Sequence, residues 1–212
     1  MYADPSGHMP EWAYWAISGG LIAIGIGLAI LSGGATIGPT LSLIASTFSG
    51  AFVSAGASSL ITGYLNEVNG GSFEAGYWWG MITGAISGAA AGLGGALIGR
   101  AVDTCYVTGV TLGQYLGGMG ISFVGGTLGS FAGGVATSKI DGKKINYDEL
   151  IVSSLVSGGV NIVGGYLSGA FGSLMPLSDI SLKVVSTCAV GVIEIISQVS
   201  NYCINRYIIE RL

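Results

Sequence analysis

The feature that most constrains this chain is the length of its segments without a charged side chain. Residues 12–66, 75–99, 104–138 and 150–178 contain no Asp, Glu, Lys or Arg. A helix needs about 20 apolar residues to cross the hydrocarbon of a bilayer, so the first segment fits two crossings and each of the others fits one. Charges are confined to short islands, which predict turns. These islands are Asn66–Gly71, Arg100–Asp103, Lys139–Asp148 and Pro176–Lys183.

Composition narrows the class of protein further. Only 8% of the residues are charged and half are hydrophobic, whereas a soluble domain has about 25% charged residues. The net charge of −4 provides no electrostatic footprint for nucleic acid. The three cysteines (Cys105, Cys188 and Cys203) lack CxxC spacing and are interpreted as small buried hydrophobes.

The islands, together with the break at Gly33–Pro39, divide the chain into six helices. Two of them have clear start signals: Ser72 precedes Phe73 and Glu74, and Asn146 with Glu149 resembles a capping box. The prediction is an all-α fold of glycine-rich hydrophobic helices arranged as hairpins, membrane-inserting and oligomeric. The predicted helices are 11–31, 39–65, 73–101, 109–136, 147–173 and 179–209.

Glycine recurs every four residues within several of these helices. Such spacing produces a groove without side chains along one helical ridge, where another backbone can approach closely. In lipid this close packing is a main source of helix association, whereas in water each glycine costs a helix about 1 kcal/mol. Ser42, Ser46, Gly50, Ser54 and Ser58 form a similar small-residue row in the second helix. The glycines assigned to helix packing and oligomerisation are Gly76, Gly80, Gly84, Gly88, Gly92, Gly109, Gly113, Gly117, Gly125, Gly129, Gly133, Gly165 and Gly169.

Two other folds are compatible with parts of this pattern. One is a water-soluble, tightly packed helical bundle. The other is a glycine-rich β structure, because residues 122–135 lack a clean helical face. A strand of a membrane barrel alternates polar and apolar residues, and this chain rarely does so.

Aromatic and basic residues bear on the placement of the helices. Trp12, Trp15, Trp78 and Trp79 lie near the starts of two helices, where aromatic rings suit either a membrane–water interface or ordinary core packing. Lysine and arginine show no bias between the two sides. Lys139, Lys143 and Lys144 are expected on one side, and Arg100, Lys183, Arg206 and Arg211 on the other.

The chain shows no set of catalytic residues. His8 is the only histidine and precedes the hydrophobic body, so the sequence predicts no Ser-His-Asp site, no histidine metal site and no cofactor. Neither a GxSxG nor a GxGxxG motif occurs. Glu194 stands alone in an apolar stretch of the last helix. It is a candidate pore-lining residue if that helix is in a membrane, and a solvent-facing residue if the helix is amphipathic.

The opening residues Tyr2–His8 contain Asp4-Pro5-Ser6-Gly7, which resembles the DPxG segment that closes the core of Rhs/YD-repeat polymorphic toxin proteins. In that family a β shell encloses a variable C-terminal toxin that begins shortly after this segment. The resemblance implies that residues 1–10 are the end of an Rhs core, with Asp4, Pro5 and Gly7 in its processing segment. Residues 11–212 are then the toxin domain.

The resemblance also implies delivery into competitor bacteria, a cognate immunity protein and a parent Rhs shell. With the long uncharged helices, it predicts a secreted toxin that enters the target-cell membrane, oligomerises through glycine faces and forms depolarising pores. Its predicted partners are the lipid bilayer and further copies of itself, and the protein is not expected to be an enzyme. Two alternatives stay open: a non-lethal pretoxin or translocation module, and a soluble helical binding domain.

Overall fold

The computed structural model describes residues 9–32, 39–108, 112–173 and 180–207, and these ranges form six α-helices and no strand. The predicted all-α class is confirmed. The six helices follow the predicted order, and residues 122–135 lie within the fourth. They are α1 (Glu11–Ser32), α2 (Pro39–Val68), α3 (Phe73–Thr108), α4 (Leu112–Ile140), α5 (Tyr147–Ser173) and α6 (Ile180–Tyr207).

One predicted turn is wrong. The backbone of α3 continues through Arg100–Asp103 to Thr108. Arginine is a good helix former, and the segment between Arg100 and Thr108 contains neither glycine nor proline. The charges of Arg100 and Asp103 therefore do not end this helix. Both residues lie beyond the roughly 20 residues that a bilayer crossing requires, so a helix can include them without placing their charges in hydrocarbon.

Two turns end their helices in the same way. Gly70 and Gly142 have φ values of 76° and 66°, a conformation that favours glycine. After each, a backbone N–H bonds back to a carbonyl five residues earlier: Gly71 to Asn66 at 2.8 Å and Lys143 to Ser138 at 2.9 Å. This is the Schellman arrangement that closes a helix C-terminus.

The two predicted start signals that fall on described residues have matching contacts. The backbone N–H of Ala75 donates to Ser72 Oγ over 3.5 Å, and Asn146 Nδ2 donates to Glu149 Oε2 over 3.4 Å. Both helices begin immediately after the capping residue.

The helices form successive antiparallel neighbours around a central α3. The most extensive contact is between α2 and α3, and α3 also packs against α4, α5 and α6. The last helix, α6, packs against α5, α2 and α1 as well. The bundle is therefore closed on itself, with α6 returning to the first hairpin.

One end of the bundle, here called the turn end, collects the α2–α3 turn, the α4–α5 turn, the start of α1 and the end of α6. Lys143 Nζ in the second turn donates to the carbonyl oxygen of Asn69 in the first, over 3.1 Å. Arg206 of α6 lines the same cavity as Lys143 and Lys144. The predicted division of basic residues is therefore wrong for Arg206, because an even number of passes brings the end of α6 back to the side on which α1 begins.

Candidate membrane surface and polar interior

The outer surface of the bundle is apolar on all six helices. Large aliphatic and aromatic side chains stay exposed along their full length, including the central turns. A water-soluble helix instead turns its apolar stripe inward and its polar face outward. Exposed aliphatic examples are Ile24 and Ile30 on α1, Leu41 and Ile44 on α2, Ile82 and Ile86 on α3, Leu116, Val124 and Leu128 on α4, Ile151, Leu155 and Val163 on α5, and Val185, Val192, Ile196 and Val199 on α6.

The interior is correspondingly polar. Among the described residues, 17 polar or charged side chains are buried against 9 hydrophobic ones. Most of the polar set are serines, and the largest fully buried side chains are Tyr77 and Ile98. This distribution, with hydrogen-bonded polar side chains inside and apolar side chains outside, suits a hydrocarbon solvent.

Within the described residues, five helices are long and apolar enough to cross a membrane by length and composition. The sixth helix, α6, buries Thr187, Glu194, Ser197 and Asn201 on its inward face. Its outward face is a stripe of valine and isoleucine.

Aromatic side chains gather at the turn end. Trp12 is 70% exposed, and Trp15 and Trp78 are also exposed, as expected for rings at a membrane–water interface. Trp79 is half-buried and lines a cavity instead. Beneath them Tyr14 packs edge-on against Phe73 and Tyr77, with ring centroids 5.3 and 4.7 Å apart.

The glycine row of α3 faces the small-residue row of α2. A Cβ atom at Gly84 would lie 2.5 Å from the carbonyl oxygen of Ser54 and 2.6 Å from Ser58 Cβ. Gly76 and Gly80 meet the carbonyl oxygens of Thr62 and Ser58 at 2.7 Å in the same way. Gly88 faces Gly50 and Ser54, and Gly92 faces Ser46. The row is thus filled by a neighbouring helix of the same chain.

The predicted glycines of α4 and α5 fall into two groups. Gly125, Gly129 and Gly133 pack against α3, while Gly165 and Gly169 pack against α4 and α3. A Cβ atom added at Gly113 or Gly117 would meet no heavy atom within 4 Å, so both glycines lie on the open surface. Gly109 lies outside the described residues.

Glu194 is 5% exposed and lies in the middle of the bundle. Ser87 Oγ on α3 donates to its Oε2 over 2.8 Å, and Gln198 Nε2, one turn along α6, donates to Oε1 over 3.0 Å. In the described part of the chain no cationic side chain pairs with it. A buried carboxylate without a counter-ion is costly. Because Glu194 is buried, the interpretation as a solvent-facing residue of an amphipathic helix does not fit this structure.

Two further buried networks escaped prediction because serine occurs on every helix. Ser18 Oγ lies 2.9 Å from Ser59 Oγ and 3.0 Å from Tyr77 Oη, which joins α1, α2 and α3. Ser157 and Ser197 share a 2.9 Å hydrogen bond. Asn201 Nδ2 donates to Ser157 Oγ over 2.6 Å, joining α5 and α6. The spacing of four between Ser197 and Asn201 on α6 is the only local sequence signal for these positions.

A cavity of about 480 Å³, the turn-end cavity, opens between the two turns and the end of α6. Asp141, Lys143, Lys144, Glu149 and Arg206 surround it, and hydroxyl and amide side chains line it further in. These inner residues are Thr62, Asn66, Thr83, Ser130, Thr137, Ser153, Gln198 and Asn201.

No protein-family model, curated protein or solved structure matches this chain. In the ranges that the structure describes, no three His, Cys, Asp or Glu side chains come together as metal ligands. Cys203 is exposed and Cys188 half-buried, so the expectation of buried cysteines is wrong for Cys203. The DPxG-like segment and His8 lie outside the described residues.

Proposed function

We propose that this chain is a toxin that inserts into the membrane of a target bacterium as a helical bundle and makes that membrane permeable to ions. One observation carries the proposal: the bundle is polar inside and apolar outside. Exposing its aliphatic surface to water costs about 25 cal/mol per Å², whereas lipid accommodates the same surface without that cost.

All six helices take part in the proposed insertion. With α6 included, the bundle crosses the bilayer an even number of times, and the charged turn end remains on one side. The polar faces of α3, α5 and α6 then line the interior, where Glu194, Ser87 and Gln198 meet. Ionisable residues at such depth typically belong to ion or proton pathways.

Assembly of several copies is part of the proposal. Because α2 occupies the glycine row of α3, contact between copies must use other surfaces. Gly113, Gly117 and Gly120 are open and lie on one face of α4, where a second helix can approach closely.

The toxin role and its partners rest on the DPxG-like opening of the chain. That likeness supports release from an Rhs shell, delivery into a competitor's envelope and neutralisation by a cognate immunity protein. A non-lethal pretoxin module would share the membrane surface but not the permeability, so conductance separates the two.

Purified protein added to a planar bilayer is expected to produce conductance, and the same protein is expected to dissipate an imposed membrane potential in liposomes, reported by a potential-sensitive dye. The physical reason is that a polar interior inside an apolar shell lowers the barrier to ions. Co-flotation with liposomes measures insertion separately. Protein that floats with the liposomes yet leaves conductance and membrane potential unchanged contradicts the permeability claim and favours the pretoxin role.

The orientation follows from charge. The two turns at the turn end carry Lys139, Asp141, Lys143, Lys144, Asp148 and Glu149, whereas at the opposite end residues 33–39 carry no charge and the other two connections have only Arg100, Asp103, Asp179 and Lys183 in or beside them. Moving a charged turn through hydrocarbon costs several kcal/mol per charge. We therefore expect the turn end to remain on the side from which the protein enters.

This orientation is measurable with single cysteines in a background in which Cys105, Cys188 and Cys203 are serine. After insertion from outside, a membrane-impermeant thiol reagent is expected to label Lys143→Cys and to leave Thr40→Cys, at the opposite end, unlabelled until detergent is added. Equal labelling of both positions contradicts the proposed orientation.

A further inference from the structure

We infer that Glu194 is a proton-binding site, that the turn-end cavity is its route to water, and that the ion conducted by this bundle is the proton. The inference rests on the proposed membrane insertion, and it adds the identity of the ion and its path. It follows from three features: access from one end, the hydrogen-bond donors around the carboxyl group, and the seal beyond it.

Access comes from the turn end. Gln198 and Thr83 both line the turn-end cavity, and Gln198 is bonded directly to Glu194. The carboxyl group therefore lies one hydrogen bond beneath the cavity lining. Within the described residues, Thr62 Oγ1 and Asn201 Oδ1 have no hydrogen-bond partner, and both residues line the same cavity. Buried polar atoms of this kind are satisfied by water, and a cavity of this size has room for several molecules.

The groups around Glu194 favour a proton over a metal cation. Each carboxyl oxygen accepts one side-chain hydrogen bond, from Ser87 or Gln198. A hard cation requires about six oxygen ligands, but here donors occupy the carboxyl oxygens and, within the described residues, no cluster of carboxylates surrounds the site. Taking up a proton neutralises the carboxylate without adding ligands, and releasing it to cavity water restores the charge. The hydroxyl group of Ser87 and cavity water can pass a proton along hydrogen bonds, whereas Gln198 only orients the carboxyl group beneath the cavity.

Other titratable groups lie toward both ends of the bundle, with Tyr115, Tyr166 and Cys188 toward the end opposite the turn end. Ser87 faces Glu194 from α3, and Ser58 of α2 lies 3.5 Å from Gln198. The titratable or charged groups lining the cavity are Asp141, Lys143, Lys144, Glu149, Tyr202 and Arg206. Those near the turn end of α1, α2 and α3 are Glu11, Tyr14, Tyr64, Glu67, Glu74 and Tyr77. Where α6 packs against α5, the polar groups described are uncharged: the hydroxyl of Ser157 on α5, and the hydroxyl of Ser197 and the amide of Asn201 on α6.

Beyond Glu194 the path is sealed by apolar contacts. One turn from Glu194 toward the start of α6, Gly191 packs against Val53 of α2, and both Val53 and Val190 are buried. In the same direction along α6, the next buried polar side chain described is Thr187, two turns from Glu194. Its hydroxyl oxygen lies 3.5 Å from that of Ser49 on α2. In this arrangement Glu194 exchanges protons with the turn end only, and passage to the far side requires α2 and α6 to separate at Val53.

The test measures proton entry into proteoliposomes under a potassium diffusion potential set with valinomycin, reported by an internal pH dye. Glu194→Gln keeps the shape of the side chain and one acceptor oxygen for Gln198, and its amide N–H can donate to Ser87 Oγ, but it cannot exchange a proton. It is expected to lower the proton flux about a hundredfold, the typical effect of removing a positioned proton-transfer group. The control Glu67→Gln changes an exposed carboxylate outside the cavity and is expected to leave the flux within about twofold, as surface substitutions away from a pathway usually do.

A second variant tests the route after folding is complete. With the native cysteines replaced by serine, Thr137→Cys places a thiol in the turn-end cavity, and Lys139→Cys places one beside it. A bulky membrane-impermeant thiol reagent added on the turn-end side is expected to stop proton flux through Thr137→Cys and to leave Lys139→Cys unaffected.

The outcomes separate this inference from the proposed function. Wild-type flux in an inserted Glu194→Gln protein, or in labelled Thr137→Cys, overturns the proton site or its route while leaving membrane permeation intact. Dissipation of the membrane potential without proton-selective flux does the same. Protein that fails to enter the liposomes overturns both.

Discussion

Gly88→Leu is expected to drive α2 and α3 apart and to lower the stability of the bundle by about 3 kcal/mol, the upper range for overpacking a tight contact. A Cβ atom at Gly88 would lie 2.5 Å from Ser54 Cβ and closer still to the carbonyl oxygen of Gly50. Backbone cannot move aside as a flexible side chain can, and this contact belongs to the most extensive helix pair in the chain. The measurement is thermal unfolding in detergent, followed by circular dichroism.

Gly117→Leu is the matched control for that substitution. It introduces the same side chain into a helix at a glycine with open space around it, and a change within about 0.5 kcal/mol is expected. A Gly88→Leu protein as stable as wild type would contradict the α2–α3 packing described here. If Gly117→Leu keeps its stability but reduces the size of the assembly in detergent, the open face of α4 is the contact between copies.

Leu128→Arg is expected to abolish most insertion into liposomes. Leu128 is 59% exposed and lies near the middle of the apolar span Gly113–Ile140. In a bilayer this position faces the centre of the hydrocarbon, where arginine costs about 3 kcal/mol on insertion scales. That cost corresponds to a loss of more than about a hundredfold in the insertion equilibrium. The fraction of protein that floats with liposomes measures the effect.

Ile140→Arg provides the comparison at a different depth. Ile140 is similarly exposed and lies on the same helix, but at the turn end, where a long basic side chain can reach the interface. Its insertion is expected to match wild type. The soluble-bundle alternative gives the opposite pattern, because on a water-exposed surface both arginines improve solubility and neither affects folding. A Leu128→Arg protein that is monomeric without detergent would favour that alternative.

Much of the fold was predictable because its signals are local. Uncharged stretches mark the helices, and caps mark the starts of α3 and α5, so all six were predicted in the correct order. The end of α3 was not, since Arg100 and Asp103 are compatible with a helix that extends past its apolar span. Arg206 was assigned to the wrong side because its position depends on following the chain through all six passes.

The candidate site was predictable only in outline. Glu194 is conspicuous as a single acid in an apolar stretch, but Ser87 is one of many serines and lies 107 residues away. Trp12, Trp15 and Trp78 lie on the outside, whereas Trp79, next to Trp78, lines the cavity. Adjacent positions on a helix point about 100° apart, and a run of tryptophans alone does not indicate which ring faces outward.

The amino-acid pattern alone accounts for an all-helical chain with small-residue grooves, because helix formation and spacing every four residues are properties of neighbouring residues. It does not indicate what fills each groove. The partner of the Gly76–Gly92 row, the donors to Glu194, and the open face at Gly113 and Gly117 depend on how six helices pack at once. When small residues occur on several faces of every helix, many pairings are locally equivalent, and only simultaneous burial of all the polar side chains selects one of them.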